Sequence, residues 1–252
     1  MSGDKPATLS KVPEVTLVFW IIKILATTLG ETGGDAVSMS MGFGYLMSTG
    51  IFAVIFIAAV FVQITAKRFH PVIYWTTIVA TTTVGTTLAD FADRSLGIGY
   101  GGGTTILIAL LAASLVTWYH ALGSVAVETV SSPKSELFYW VTIMFSQTLG
   151  TALGDWTADT AGIGYNGGAF LFGAMLAALA AAYYLTALSH TALFWAAFIL
   201  TRPLGAVVGD FLDKPAAQGG LALSRYSASA TLLVLIGLCI VLFPHRAASR
   251  GH

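Results

Sequence analysis

Four aspartates recur at a fixed distance from four tryptophans. Asp35, Asp90, Asp155 and Asp210 each stand fifteen residues after Trp20, Trp75, Trp140 or Trp195. A carboxylate near the end of a run apolar enough for lipid is a hard oxygen donor, suited to holding a cation or a proton. Three further acids accompany them: Glu31 is four residues before Asp35, and Asp93 and Asp213 are three after Asp90 and Asp210. At those spacings each pair shares a helix face. Oxygen donors so grouped suit Mn2+, Mg2+ or Ca2+. Like charges this close also keep a proton on one of them, which lets a carrier exchange H+ for metal.

Two bases lie within the same apolar runs. Lys23 is three residues after Trp20, and Arg202 is seven after Trp195. The column seven residues after each Trp reads Thr27, Thr82, Gln147, Arg202, polar in every repeat. Polar groups recurring at one depth predict either a hydrated interior or interhelical hydrogen bonds of ~0.6 kcal/mol each. Arg202 needs an anionic partner or water in either case, whereas Lys23, early in its run, can snorkel to the boundary. Both are expected to tune local charge. His120 and His190 recur in no other repeat and are expected to be packed or boundary histidines. Asp159 departs from the spacing of the other auxiliary acids.

The elements that position these residues follow from the repeats. Four blocks, "FWIIKILATTLGETGGD", "YWTTIVATTTVGTTLAD", "YWVTIMFSQTLGTALGD" and "FWAAFILTRPLGAVVGD", align without a gap. Each has Gly ten residues after its Trp: Gly30, Gly85, Gly150 and Gly205. Asp35 and Asp155, like Asp90 and Asp210, are 120 residues apart, so the chain reads as two halves of two unequal units. Small residues four apart, such as Gly30 with Gly34, predict close helix approach, and acids at a water boundary as caps are the plainer alternative.

The chain has 252 residues, 56% hydrophobic and 10% charged, with a mean hydropathy of +0.80. A soluble domain carries roughly 25% charged residues. Apolar runs at about 15–35, 45–66, 71–93, 104–127, 136–158, 169–189, 190–213 and 226–243 each approach the ~20 residues a spanning helix needs. The expected fold is all-α: a polytopic membrane protein of eight transmembrane helices, arranged as four parallel two-helix repeats at about 15–66, 71–127, 136–189 and 190–243 within one membrane domain.

The Trp, Gly and Asp columns resemble a family of bacterial membrane proteins of unassigned function, built from four tandem repeats. In that family each repeat has two spans and a characteristic tryptophan. The resemblance implies the topology and a bacterial inner membrane, and it implies no reaction.

Seven bases, Lys5, Lys11, Lys67, Arg68, Lys134, Arg246 and Arg250, lie in the termini and inter-repeat loops, against Arg94, Lys214 and Arg225 in the glycine-rich loops. The positive-inside tendency then predicts cytoplasmic termini. The polar first residues show no removable signal peptide. A net charge of zero gives no reason to expect nucleic acid as a partner, and the single Cys239 excludes a disulfide framework. The loops "GFGY", "GIGYGGG" and "GIGYNGG" suggest a carbonyl filter superficially, but tight turns explain them better. Tyr45, Tyr100 and Tyr165 are then expected as interface anchors, like the tryptophans. No HExxH, GxSxG or phosphate loop is present, so no enzyme is expected and no cofactor beyond a bound or transported divalent cation. The partners expected are the bilayer and a small inorganic cation. The functional expectation is a cation transporter using Asp35, Asp90, Asp155 and Asp210, with Glu31, Asp93 and Asp213 as auxiliary ligands. The alternatives are a structural or sensing protein with permanently paired charges, or a cation channel.

Overall fold

The computed structural model describes residues 10–249, so Lys5 and Arg250 of the orientation argument lie outside the described residues. Within them the chain forms eight long helices. The first of each repeat are α1 (Leu17–Asp35), α3 (Pro71–Asp90), α5 (Pro133–Asp155) and α7 (His190–Asp213). The second are α2 (Gly44–Thr65), α4 (Gly99–Leu122), α6 (Gly164–Leu185) and α8 (Arg225–Leu242). Local chemistry fixes the starts of the first helices. Thr16, Ser132 and Ser189 accept backbone N–H bonds as N-caps, and Pro71 opens α3 where its missing donor costs nothing.

The odd-numbered helices close into a ring: α1 packs on α3, α3 on α5, α5 on α7, and α7 back on α1. Each even helix crosses to the next repeat, α2 onto α3, α4 onto α5, α6 onto α7, and α8 onto α1. The even helices form an outer, apolar layer and bury little of their surface, while the odd helices form the core. This division explains a difference among the spans. Six helices are long and apolar enough to cross a membrane, and α3 and α5 are not among them. Both are long enough, at 20 and 23 residues. Enclosed by protein, they are free to carry polar side chains, including seven threonines in α3.

The recurring glycines make the ring possible. A Cβ on Gly30 would stand 2.5 Å from Thr82 of α3, and one on Gly85 would stand 3.0 Å from Gln147 of α5. One on Gly150 would collide with Arg202 of α7, and one on Gly205 with Thr27 of α1. Each repeat's glycine thus receives the polar column residue of the next repeat, in the same sense around the whole ring.

After Asp35, Asp90 and Asp155 the helix widens into a π turn, at Ala36–Ser40, Phe91–Ser95 and Trp156–Thr160. The glycines of "GFGY" and the two "GIGY" loops then take φ values of +69° to +73°, at Gly42, Gly44, Gly97, Gly99, Gly162 and Gly164. These are the tight turns expected from the sequence, and they launch the even helices. At the opposite end Pro13 pairs with Ala247, so the chain ends of the described region lie together.

Candidate functional site

Taking every fourth residue along each odd helix, at the same offset in each repeat, gives five layers of four buried side chains. The first layer is aromatic: Phe19, Tyr74, Tyr139 and Phe194. Below it come Lys23, Ile78, Ile143 and Phe198, then Thr27, Thr82, Gln147 and Arg202, none with any exposed surface. Glu31, Thr86, Thr151 and Ala206 form the fourth layer, and Asp35, Asp90, Asp155 and Asp210 the fifth. Identical offsets from each Trp put these residues at a common depth in all four helices.

The aromatic layer seals one end. Tyr74 and Tyr139 hydroxyls meet at 2.6 Å, and Phe19 packs 5.3 Å from Trp75 and 6.1 Å from Phe194. Trp75 and Trp140 are 1% exposed. These tryptophans are therefore not interface anchors, because neighbouring aromatics bury them, Trp75 against Phe19 and Tyr74, and Trp140 against Tyr74 and Tyr139. Tyr45 and Tyr100 are not simple anchors either: both rings flank Arg94, at 5.9 and 5.8 Å. Tyr165 packs in a side cluster with Phe172 and Val207.

The polar column is tied together by Arg202. Its guanidinium donates to Glu31 at 2.8 Å and to the hydroxyls of Thr86 and Thr151, touching all three other repeats. Lys23 does not snorkel. Its ammonium is fully buried, 4.1 Å from the centre of the Phe198 ring.

At the far end the four aspartates meet two bases expected in the glycine-rich loops, Arg94 and Lys214. Arg94 bridges Asp90 at 2.9 Å and Asp155 at 3.0 Å. Lys214 bridges Asp210 at 3.0 Å and Asp35 at 2.7 Å. Each base follows the Asp of its own repeat by four residues and reaches the Asp of the next repeat around the ring. Arg94 and Lys214 are themselves 120 residues apart, a signal present in the sequence beside the repeated acids. Burial disfavours the charge on Lys214, but Asp210, Asp35 and Asp213 outweigh it and hold its pKa above the usual lysine value. Arg225 from α8 adds a bond to Asp213 at 2.7 Å and lies 3.6 Å from Asp35.

One oxygen of each ring aspartate lacks a hydrogen-bond donor. For Asp90 and Asp210 that oxygen still lies within ion-pair distance of Arg94 Nε and Lys214 Nζ, off the hydrogen-bonding direction. Glu31, Asp35 and Asp210 bring carboxylate oxygens within 4.8 Å of one another, near enough to share a metal ion. Oxygen donors fit a hard cation, although Lys214 and Arg202 already engage all three.

The auxiliary acids divide. Glu31 joins the ring, and Asp213 faces Arg225. Asp93 turns toward Gly103 of α4, since the wider π turn puts it out of phase with Asp90. Asp159 and His120 are exposed, and His190 stacks 4.5 Å from Tyr183. A groove of about 830 Å3, lined by Trp20, Tyr183 and His190 among others, runs outside the ring between α1, α6 and α7 and holds none of these acids.

Residues 18–69, 73–123, 138–189 and 193–246 each match the family described as Repeat of Unknown Function (DUF347). The chain belongs to that family. The four matches follow the structural repeats, each taking in one odd helix and one even helix. No curated protein and no solved structure matches the chain.

Proposed function

We propose that this protein is a transporter for a small hard cation, with the four ring aspartates as its binding site. The observation that carries the reading is the pairing of these acids across the ring, one from each repeat, with Oδ1 of Asp35 and Oδ1 of Asp155 free of both hydrogen-bond and ion-pair partners. Six acids at that end (Asp35, Asp90, Asp93, Asp155, Asp210 and Asp213) face only Arg94, Lys214 and Arg225 among the paired bases. The excess is anionic and attracts cations.

Lys214 then acts as a tethered cation. It occupies the oxygens of Asp35 and Asp210 that a substrate needs, so a divalent ion such as Mn2+ must displace it. Protons taken up by the surplus carboxylates supply a means of coupling. Arg202 and the aromatic layer obstruct the axis, which favours a carrier that alternates between states over an open channel.

Orientation belongs to this proposal too. Arg94, Lys214 and Arg225 are spent on internal ion pairs, while Lys67 and Arg68 remain exposed in an inter-repeat loop. Free positive charge therefore favours the aromatic end on the cytoplasmic side of a bacterial inner membrane.

A second reading rests on the same ion pairs. If Arg94, Lys214 and Arg202 hold the acids permanently, the protein is a non-transporting structural or sensing element. Proteoliposome uptake of Mn2+, Mg2+ and Ca2+ separates the two. The carrier reading expects saturable flux, abolished in Asp210→Asn and shifted to lower substrate concentration in Lys214→Gln. Absence of flux for every ion refutes it in favour of the second reading, and flux indifferent to both substitutions refutes the role given to Asp210 and Lys214.

A further inference from the structure

Eight acids are buried among the described residues, and seven of them have a base within ion-pair distance. The eighth is Asp93. It is 7% exposed, and neither of its carboxylate oxygens has a hydrogen-bond partner. Its counterpart in the second half is treated differently. Asp213, 120 residues later, is held by Arg225 of α8 at 2.7 Å. The first two turns of α4, "GYGGGTT", supply no such base.

Nothing else around Asp93 takes the place of that base. The π turn at Phe91–Ser95 carries Asp93 onto α4, where its carboxylate lies so close to Gly103 that a Cβ there would collide with it. Arg94, next in the chain, is committed to Asp90 and Asp155. The remaining titratable groups at this end of the helices packed on the turn are Asp90 of α3, Tyr45 of α2 and Tyr100 of α4, and both tyrosine rings flank Arg94. An ionised carboxylate buried with neither a base nor a donor is far costlier than the neutral acid, and such a group takes up a proton instead.

We propose that Asp93 binds a proton at neutral pH and is the site at which this protein takes up and releases H+. The coupling role rests on the carrier reading given above; the bound proton does not. Arg94 links the two, since it follows Asp93 directly and holds two of the ring aspartates. A divalent cation entering the ring adds positive charge to that network, which favours the ionised form of Asp93 and sends its proton to water. Cation uptake and proton release then accompany one another. With Asp93 neutral, Asp35, Asp90, Asp155, Asp210 and Asp213 still outnumber Arg94, Lys214 and Arg225, so the excess at that end stays anionic.

The test is infrared spectroscopy of the full chain in detergent at neutral pH, where a protonated carboxyl shows a C=O stretch above the amide I band and an ionised one does not. The expected result is that Asp93→Asn loses one such band. Asp213→Asn, which removes an acid already ionised against Arg225, should keep it. No band lost in Asp93→Asn overturns the proposal, as does an equal loss in Asp213→Asn. Failure of Asp93→Asn to fold overturns it too, because an amide replaces a neutral acid of the same shape without stranding a charge. Uptake of Mn2+ into proteoliposomes under an imposed pH gradient reads the coupling. Asp93→Asn should carry the ion at a rate indifferent to the gradient that drives the unsubstituted protein, and a retained response overturns the coupling role. Absence of flux in both proteins refutes the carrier reading and the coupling role with it, while the infrared band still decides the bound proton.

Discussion

Arg202 offers the sharpest test of how the ring is held together. Its side chain has no exposed surface, and its partner Glu31 is 3% exposed. Solvent therefore screens the pair little, and removing one member strands a buried charge. Such a loss costs ~3–5 kcal/mol. At about 2–4 °C per kcal/mol for a chain of this size, Arg202→Met should lower the midpoint of thermal unfolding by roughly 10 °C. Glu31→Gln alone should cost a similar amount, because it strands the guanidinium. The double substitution Glu31→Gln/Arg202→Met removes both charges and leaves only the lost bonds to Thr86 and Thr151. It should therefore be more stable than the sum of the single losses by about 2–3 kcal/mol, near the top of the range for directly coupled residues. Unfolding in detergent, followed by tryptophan fluorescence on all four proteins, measures this coupling. If the single losses add within ~0.5 kcal/mol, the pair does not hold the ring.

Three other outcomes are expected. Gly205→Val should destabilise the ring by ~1–3 kcal/mol through collision with Thr27, whereas Gly50→Ala, whose Cβ meets nothing within 4 Å on α2, should be neutral or stabilising by ~0.5–1 kcal/mol; denaturation midpoints compare them. Lys214, held protonated by Asp210 and Asp35, should resist amine-reactive reagents at pH 9 while exposed Lys67 is labelled. The sign follows from its raised pKa: the charged form, and the stability it brings, is lost only as pH rises beyond the ordinary lysine range. Peptide mass mapping reads this, and equal labelling of both lysines would count against the bridge. Tyr74→Phe should cost ~1–3 kcal/mol by leaving the Tyr139 hydroxyl buried without a partner, with much of that loss recovered in Tyr74→Phe/Tyr139→Phe. The same unfolding assay measures it.

The repeat carried most of the architecture. Fixed offsets from Trp20, Trp75, Trp140 and Trp195 placed the four aspartates and the polar column of Thr27, Thr82, Gln147 and Arg202 at common depths, because a helix converts spacing into position. Ring closure was less legible. It depends on Gly205 receiving Thr27, a contact between the fourth repeat and the first that no local pattern displays. Arg94 and Lys214 were misread as loop charges because their inward course depends on the next repeat's aspartate. Trp75, Trp140 and Trp195 depart from expectation for a related reason: an aromatic at a span end suits an interface, and only the convergence of neighbouring helices reveals that these three are enclosed, while Trp20 stays half-buried beside the outer groove. Asp93 left the ring because a π turn, which composition does not announce, altered the phase of the helix after Asp90.

The two bridging bases have a consequence for how the molecule is assembled. Arg94 belongs to the first half and grips Asp155 of the second, while Lys214 belongs to the second and grips Asp35 of the first. Each half thus offers one cationic hook and one anionic eye, set so that two copies of the pattern latch reciprocally about a twofold axis. A chain cut between repeats two and three keeps one hook and one eye on each piece, and a circularly permuted gene opened in that loop should rebuild the same barrel of helices.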